Sequence, residues 1–183
     1  MKTSGEDVLV RPCTASERGT VLQIHRNAFG QSTEADLVDA LLQDPTARPF
    51  LSLLAFRDDQ PAGHILFTPV RIGQSEISAS ILCPLAVSPE LQRSGVGSAL
   101  IETGLQTLKQ SGCQIIFVLG DPTYYGRFGF KQADYEQFPT PHPIPKAYLF
   151  GWMVQGLGVD PSRPSSGQLA CASALNKPEY WSD

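Results

Sequence analysis

Apolar positions along this chain switch repeatedly between a period of two and a period near 3.6, and the switches delimit the elements. Asp7 to Pro12 alternates and predicts a short strand. Thr14 with Glu17 three residues on forms a capping-box pattern, and the helix it opens runs through Val21, Leu22, His25 and Phe29 to a stop at Gly30. Ser32 or Thr33 caps a second helix with Glu34 and Asp36 in its first turn and Leu37, Val38, Leu41 and Leu42 on one face. Three strands follow, Phe50–Phe56, Gly63–Val70 and Ile77–Val87, joined by turn-forming residues at hairpin length, so they predict an antiparallel meander. Pro69 marks an edge or a bulge.

Ser88-Pro89 breaks the third of these strands, and from Gly95 a helix begins. Its residues Val96, Leu100, Ile101, Leu105 and Leu108 share one face, and Gly112 ends it. Cys113–Leu119 is almost continuously apolar, as a strand buried on both faces is. Strand, helix and strand form a β-α-β unit, which such connections make right-handed. The predicted fold class is therefore mixed α/β (α+β): a central mixed sheet, antiparallel at first and parallel at its centre, with helices on both faces. A short helix follows Gly120. Ala147–Val154 reads as a further strand, reached through a connection spaced by Pro139, Pro141, Pro143 and Pro145, and Gly156–Gly167 reads as loop. The domain reading is one unit over residues 1–155 with an extension, 156–183, packed on it; whether Tyr180-Trp181 docks is open.

Composition narrows the class of partner. With 14 Lys+Arg against 18 Asp+Glu the net charge is −4, and no run of like charge occurs, which argues against binding nucleic acid through a basic surface. Hydrophobic residues make up 42% and charged residues 17%, the balance of a globular domain. No apolar leader or membrane-length stretch is present, so the expected location is cytoplasmic, with no membrane partner. The four cysteines, Cys13, Cys83, Cys113 and Cys171, lack C-x-x-C spacing and read as free thiols rather than a zinc site; no metal is expected.

The chemistry concentrates at Gln92-Arg93-Ser94-Gly95-Val96-Gly97-Ser98. Amides in the first turn of a helix have no intrahelical acceptor, and the helix dipole adds partial positive charge, which suits a phosphate. Arg93 adds a charge-assisted donor. A P-loop would need a lysine after Gly97, and a dinucleotide fingerprint a third glycine; both are missing. A flexible loop with glycines placed for tight packing explains these residues equally well when they are taken alone.

Gln92-x-x-Gly95-x-Gly97 after an apolar strand, with Tyr125-x-x-x-Gly129-Phe130 further on, resembles the GNAT superfamily of N-acetyltransferases. The upstream Gly120-Asp121-Pro122 departs from that family's usual asparagine and alanine pattern and resembles its YhbS-like branch, as do P-L-A-V and G-H-I-L-F-T-P-V. The likeness is strong from Phe50 to Phe130 and fades after Ala133. It implies a GNAT-type sheet in which the strand Leu85, Ala86, Val87 splays from its neighbour and bonds the pantetheine arm of acetyl-CoA, while Gln92 to Ser98 hold the pyrophosphate. It also implies that Tyr125 protonates the departing thiolate and that the Val87 amide stabilises the oxyanion.

The acceptor side is less defined. Glu34 is a candidate amine contact, though both Glu34 and Asp36 are also explained as helix-dipole acids. The general base is open between His64, Glu34 and water; histidine titrates near neutrality, but one on a central strand is commonly a packing partner. Tyr124 reads as structural, and Arg127 as either a phosphate contact or a surface pair. The reading is thus an acetyltransferase acting from acetyl-CoA on an amine of a small molecule or protein, as a monomer or homodimer. A CoA-binding sensor without turnover is the alternative from another class, and nucleotide binding a third.

Overall fold

The structure is a computed structural model and describes residues 7–162 and 166–182. The sequence readings that fall on residues 1–6 and 163–165 lie outside the described residues. Strands β1 (Leu9–Pro12), β2 (Leu51–Arg57), β3 (Gln60–Ile72), β4 (Ala79–Val87), β5 (Ile115–Leu119), β6 (Lys131–Gln132) and β7 (Trp152–Gly156) form one sheet in the order β1-β2-β3-β4-β5-β7-β6. The two-residue β8 (Leu169–Ala170) pairs with the end of β3. Among the described residues only β4 and β5 run parallel, joined through helix α3 (Val96–Gln110). The mixed sheet and β-α-β unit are those the periodicity predicts.

Alternation along the strands sends their side chains to two cores. Leu54, Leu66, Ile81 and Ala86 pack under α1 (Arg18–Phe29) and α2 (Thr33–Gln43), while Leu53, Ala55, Ile65 and Phe67 pack under α3. The hairpin between β2 and β3 turns on Asp58 and Asp59, both at positive φ (50° and 58°), the geometry of a type I′ turn. Gly30, at φ 67°, ends α1. Thr14 and Glu17 do form a capping box, but around a 3₁₀ turn, Ala15–Glu17, that precedes α1.

Two details differ from the periodicity. Ala147–Phe150 is not strand: Lys146–Gly151 coils into a 3₁₀ turn, started by Pro145, whose carbonyl accepts from Tyr148 N–H at 2.8 Å, and β7 begins only at Trp152. Pro69 is not at the bulge, because the register slips at Ile65/Phe67, opposite Cys83-Pro84 of β4. Pro69 is tolerated because β2 begins opposite Phe67, so Pro69 lies past its end.

His25 and His64 are both fully buried between α1 and the sheet. His25 Nε2 and His64 Nδ1 lie 2.9 Å apart, and His64 Nε2 is 2.8 Å from Ser52 Oγ. Burial holds the His25 imidazole down at about 4 and His64 well below its ordinary 6.5, the neighbouring ring adding to the effect on His64. Both folded-state values lie below the unfolded value, so below pH 6.5 the unfolded chain binds more protons and stability falls as pH falls. Each pH unit below 6.5 costs about 1.4 kcal/mol per imidazole. Unfolding by guanidinium between pH 7.5 and pH 5 is expected to lose about 2 kcal/mol per histidine; a flat profile would mean that the folded protein takes up these protons.

Candidate active site

Strands β4 and β5 pair only from Ala79↔Ile115 to Ile81↔Phe117, yet β4 continues to Val87. The two strands therefore part, and a gap opens between them. Ser88 N–H donates to Ala62 O at 2.9 Å. In an antiparallel ladder the bonded positions alternate, so Ala86 also bonds towards β3, while the amides of Leu85 and Val87 turn the other way, into the gap. Of the predicted strand contacts, Leu85 and Val87 line the opening; Ala86 is buried at 2% exposure on the α1/α2 side.

A cavity of about 800 Å³ lies on the α3 side of the gap, bounded by Leu85, Val87, Gln92, Arg93, Gly95, Gly97 and Ser98. The first helical bond of α3 runs from Ala99 N–H to Gly95 O at 3.0 Å, so the amides of Val96, Gly97 and Ser98 have no partner in the helix. Gly95 caps α3 at φ 89° with open space where a side chain would be, and Arg93 is also left-handed at φ 60°. Val96 is buried at 1% exposure, so only its backbone faces this turn.

Several predicted contacts are engaged in shaping the loop. Ser94 Oγ donates to Leu91 O, and Ser94 O accepts from Arg57 Nη2 at 3.0 Å; Ser94 does not line the cavity. Gln92 Nε2 donates to Val87 O at 3.3 Å. Gly97 is not bare towards the cavity: a Cβ there would meet the Tyr124 hydroxyl at 2.3 Å. Tyr124, read from the sequence as merely structural, thus lines this cavity, and Arg127 stacks its guanidinium 4.8 Å from the Tyr124 ring centre. The signal available was the aromatic-plus-arginine spacing Tyr124-x-x-Arg127.

A second cavity of about 640 Å³ lies on the α1/α2 side and shares Leu85 with the first. Tyr125 faces this one, next to Gly120, where a Cβ would lie 2.5 Å from the tyrosine ring. Burial, with smaller contributions from Tyr124 and Asp121, raises the Tyr125 phenol well above its usual value and keeps it protonated. Glu34 also lines this cavity and accepts from Gln31 Nε2 at 3.2 Å. Asp36 does not line it. The turn Pro178–Trp181, whose docking the sequence left open, forms one wall: Trp181 is 1% exposed and packs edge-on to Trp152 at 5.9 Å.

His64 is the exception among the predicted catalytic residues. It lines neither cavity, and both ring nitrogens are engaged in the buried His25–His64–Ser52 chain. The reading of His64 as a general base is corrected on this geometry: a base must reach the proton it removes, and this imidazole is enclosed in the core.

The splayed parallel pair, the glycine turn at the start of α3 and the tyrosine beside the gap together form a candidate acyltransferase site of the N-acetyltransferase kind. The Acetyltransferase (GNAT) family model matches residues 19–130, and the chain belongs to that family and is an N-acetyltransferase. It is 45% identical over 161 residues to the uncharacterized N-acetyltransferase YjhQ of Escherichia coli K12, spanning 86% of this chain and 88% of YjhQ. Among solved structures, the GNAT family N-acetyltransferase YhbS of Escherichia coli in complex with CoA superposes with a TM-score of 0.85 at 25% identity, covering 97% of this chain and 96% of that one. A GNAT family acetyltransferase of Brucella melitensis in complex with acetyl-CoA gives 0.74 at 30% identity, covering 93% and 99%.

Proposed function

We propose that the chain binds acetyl-CoA in the α3-side cavity and transfers its acetyl group to an amine entering from the α1/α2 side. The observation that carries this is the meeting of two cavities at Leu85, in the gap where β4 leaves β5. The unpaired amides of Val96 to Ser98, with Arg93 and Arg127, hold the diphosphate. The free edge of β4 at Leu85 and Val87 bonds the pantetheine arm, which lays the thioester in the gap. Solved relatives in complex with CoA and acetyl-CoA support this cofactor.

The neutral amine attacks the thioester carbon, forming the C–N bond. The carbonyl oxygen becomes an oxyanion that the Val87 N–H stabilises. The C–S bond then breaks, the thiolate takes the phenolic proton of Tyr125, the amine proton leaves to water or to the Glu34 carboxylate, and a proton from solvent restores the Tyr125 phenol. Burial pushes the Cys83 thiol in the acceptor cavity up to about 12, so it stays protonated. That favours direct transfer over a cysteine-linked intermediate.

Thermal unfolding tests the cofactor assignment. Acetyl-CoA at a hundred times its Kd stabilises by about 2.7 kcal/mol, which for a chain of this size raises Tm by about 5 °C or more. ATP and NAD at the same concentration are expected to leave Tm unchanged; equal shifts from all three would remove the assignment.

A further inference from the structure

The acceptor cavity is completed by the end of the chain. The 3₁₀ turn Ser173–Leu175 is tied to the end of α2, its Ser173 N–H donating to Thr46 Oγ1 and Ala174 N–H to Asp44 Oδ2, both at 2.8 Å. Trp181 Nε1 donates to Leu175 O at 3.1 Å, and its ring is buried against Trp152. These contacts hold Glu179 and Tyr180 on the cavity wall, along with Phe29 from α1 and Glu34 from α2. Phe29 is 42% exposed, high for so large an apolar side chain.

The two cavities differ in charge. The α3-side cavity carries Arg93 and Arg127 against one acid, Asp121, whereas the described residues lining the acceptor cavity include two glutamates and no lysine, arginine or histidine. The negative field reaches Tyr180, whose phenol is raised by burial and then by the charges of Glu179 and Asp36. A ligand here meets aromatic surface and carboxylate together.

We infer that this C-terminal turn selects the acceptor: an amine whose only charge is its ammonium, carried on an apolar body of aromatic size. Glu34 and Glu179 attract the ammonium, and Phe29 and Tyr180 cover the body. Near Leu85 and Tyr125 the lining is apolar, so the amine sheds its proton before reaching the thioester. A carboxylate on the carbon bearing the amine would face both glutamates and is rejected by like-charge repulsion. The inference rests on the proposed acetyl transfer and adds the class of acceptor.

Steady-state transfer to 2-phenylethylamine and to L-phenylalanine, which differ by one carboxylate, tests it. The amine is expected to exceed the amino acid in kcat/KM by about tenfold or more, the scale of one lost charge-assisted interaction. Glu179→Gln should raise KM for the amine about tenfold and leave KM for acetyl-CoA unchanged. Glu179→Arg should move the preference towards phenylalanine. Equal or better use of phenylalanine, transfer to neither compound, or an unmoved KM in Glu179→Gln would overturn the inference. An acetyl-CoA thermal shift retained alongside any of these results would leave the cofactor assignment standing, whereas its loss would strike the proposed function itself.

Discussion

Tyr125→Phe is expected to lower kcat about a hundredfold, the lower end of what a positioned proton donor contributes, with the Kd for acetyl-CoA unchanged. The ring packs on Gly120 and edge-on to Tyr124 and Phe130, at 5.1 Å and 5.8 Å between centres, and phenylalanine keeps all of that. What it loses is the hydroxyl alone. Because burial holds the phenol protonated, the group acts as a donor across the neutral range, so the wild-type rate should not fall with rising pH through deprotonation of Tyr125 between pH 7 and 9. Single-turnover rates, with acetyl-CoA affinity measured separately by calorimetry, separate chemistry from binding. Wild-type turnover in the variant would remove the acid role.

Gly95→Val is expected to weaken acetyl-CoA binding by about tenfold or more while the fold persists. Gly95 sits at φ 89°, where a β-branched residue is strained by its own backbone even though nothing crowds the position. A residue forced out of the left-handed region gains about 1–2 kcal/mol by letting the loop relax, and every 1.4 kcal/mol is a factor of ten in affinity. Relaxing the loop turns the first amides of α3 away from the diphosphate. The core under α3, built on Leu100, Ile101 and Phe67, does not touch this residue, so Tm should fall by only a few degrees. Isothermal calorimetry with acetyl-CoA reads the effect, and an unchanged Kd would place the diphosphate elsewhere.

The pair Tyr124 and Tyr125 shows where reading by sequence stops. Their spacing from Gly129-Phe130 marks Tyr125, and nothing in the local pattern distinguishes what its neighbour faces. In the fold, Gly97 leaves room for the Tyr124 hydroxyl and Gly120 leaves room for the Tyr125 ring, so adjacent tyrosines line opposite cavities. The first depends on a glycine far along the chain, at the start of α3, and the second on one in the same turn as the tyrosine. His64 is the converse case: its residue type suggested a base, but its neighbours, His25 on α1 and Ser52 on β2, close it into the core.

Local periodicity was enough to determine β1 to β5, the helices α1 to α3 and the β-α-β unit, because side-chain direction repeats every two residues in a strand and every 3.6 in a helix. The glycine turn was legible for the same reason, since its positive φ and unpaired amides are properties of consecutive residues. Only the tertiary structure decided the sharing of Leu85 between two cavities and the closure of the acceptor side by Glu179, Tyr180 and Trp181. Those features arise from contacts between segments far apart along the chain, such as Trp181 on Trp152 and Ala174 on Asp44, and no short-range pattern encodes such contacts.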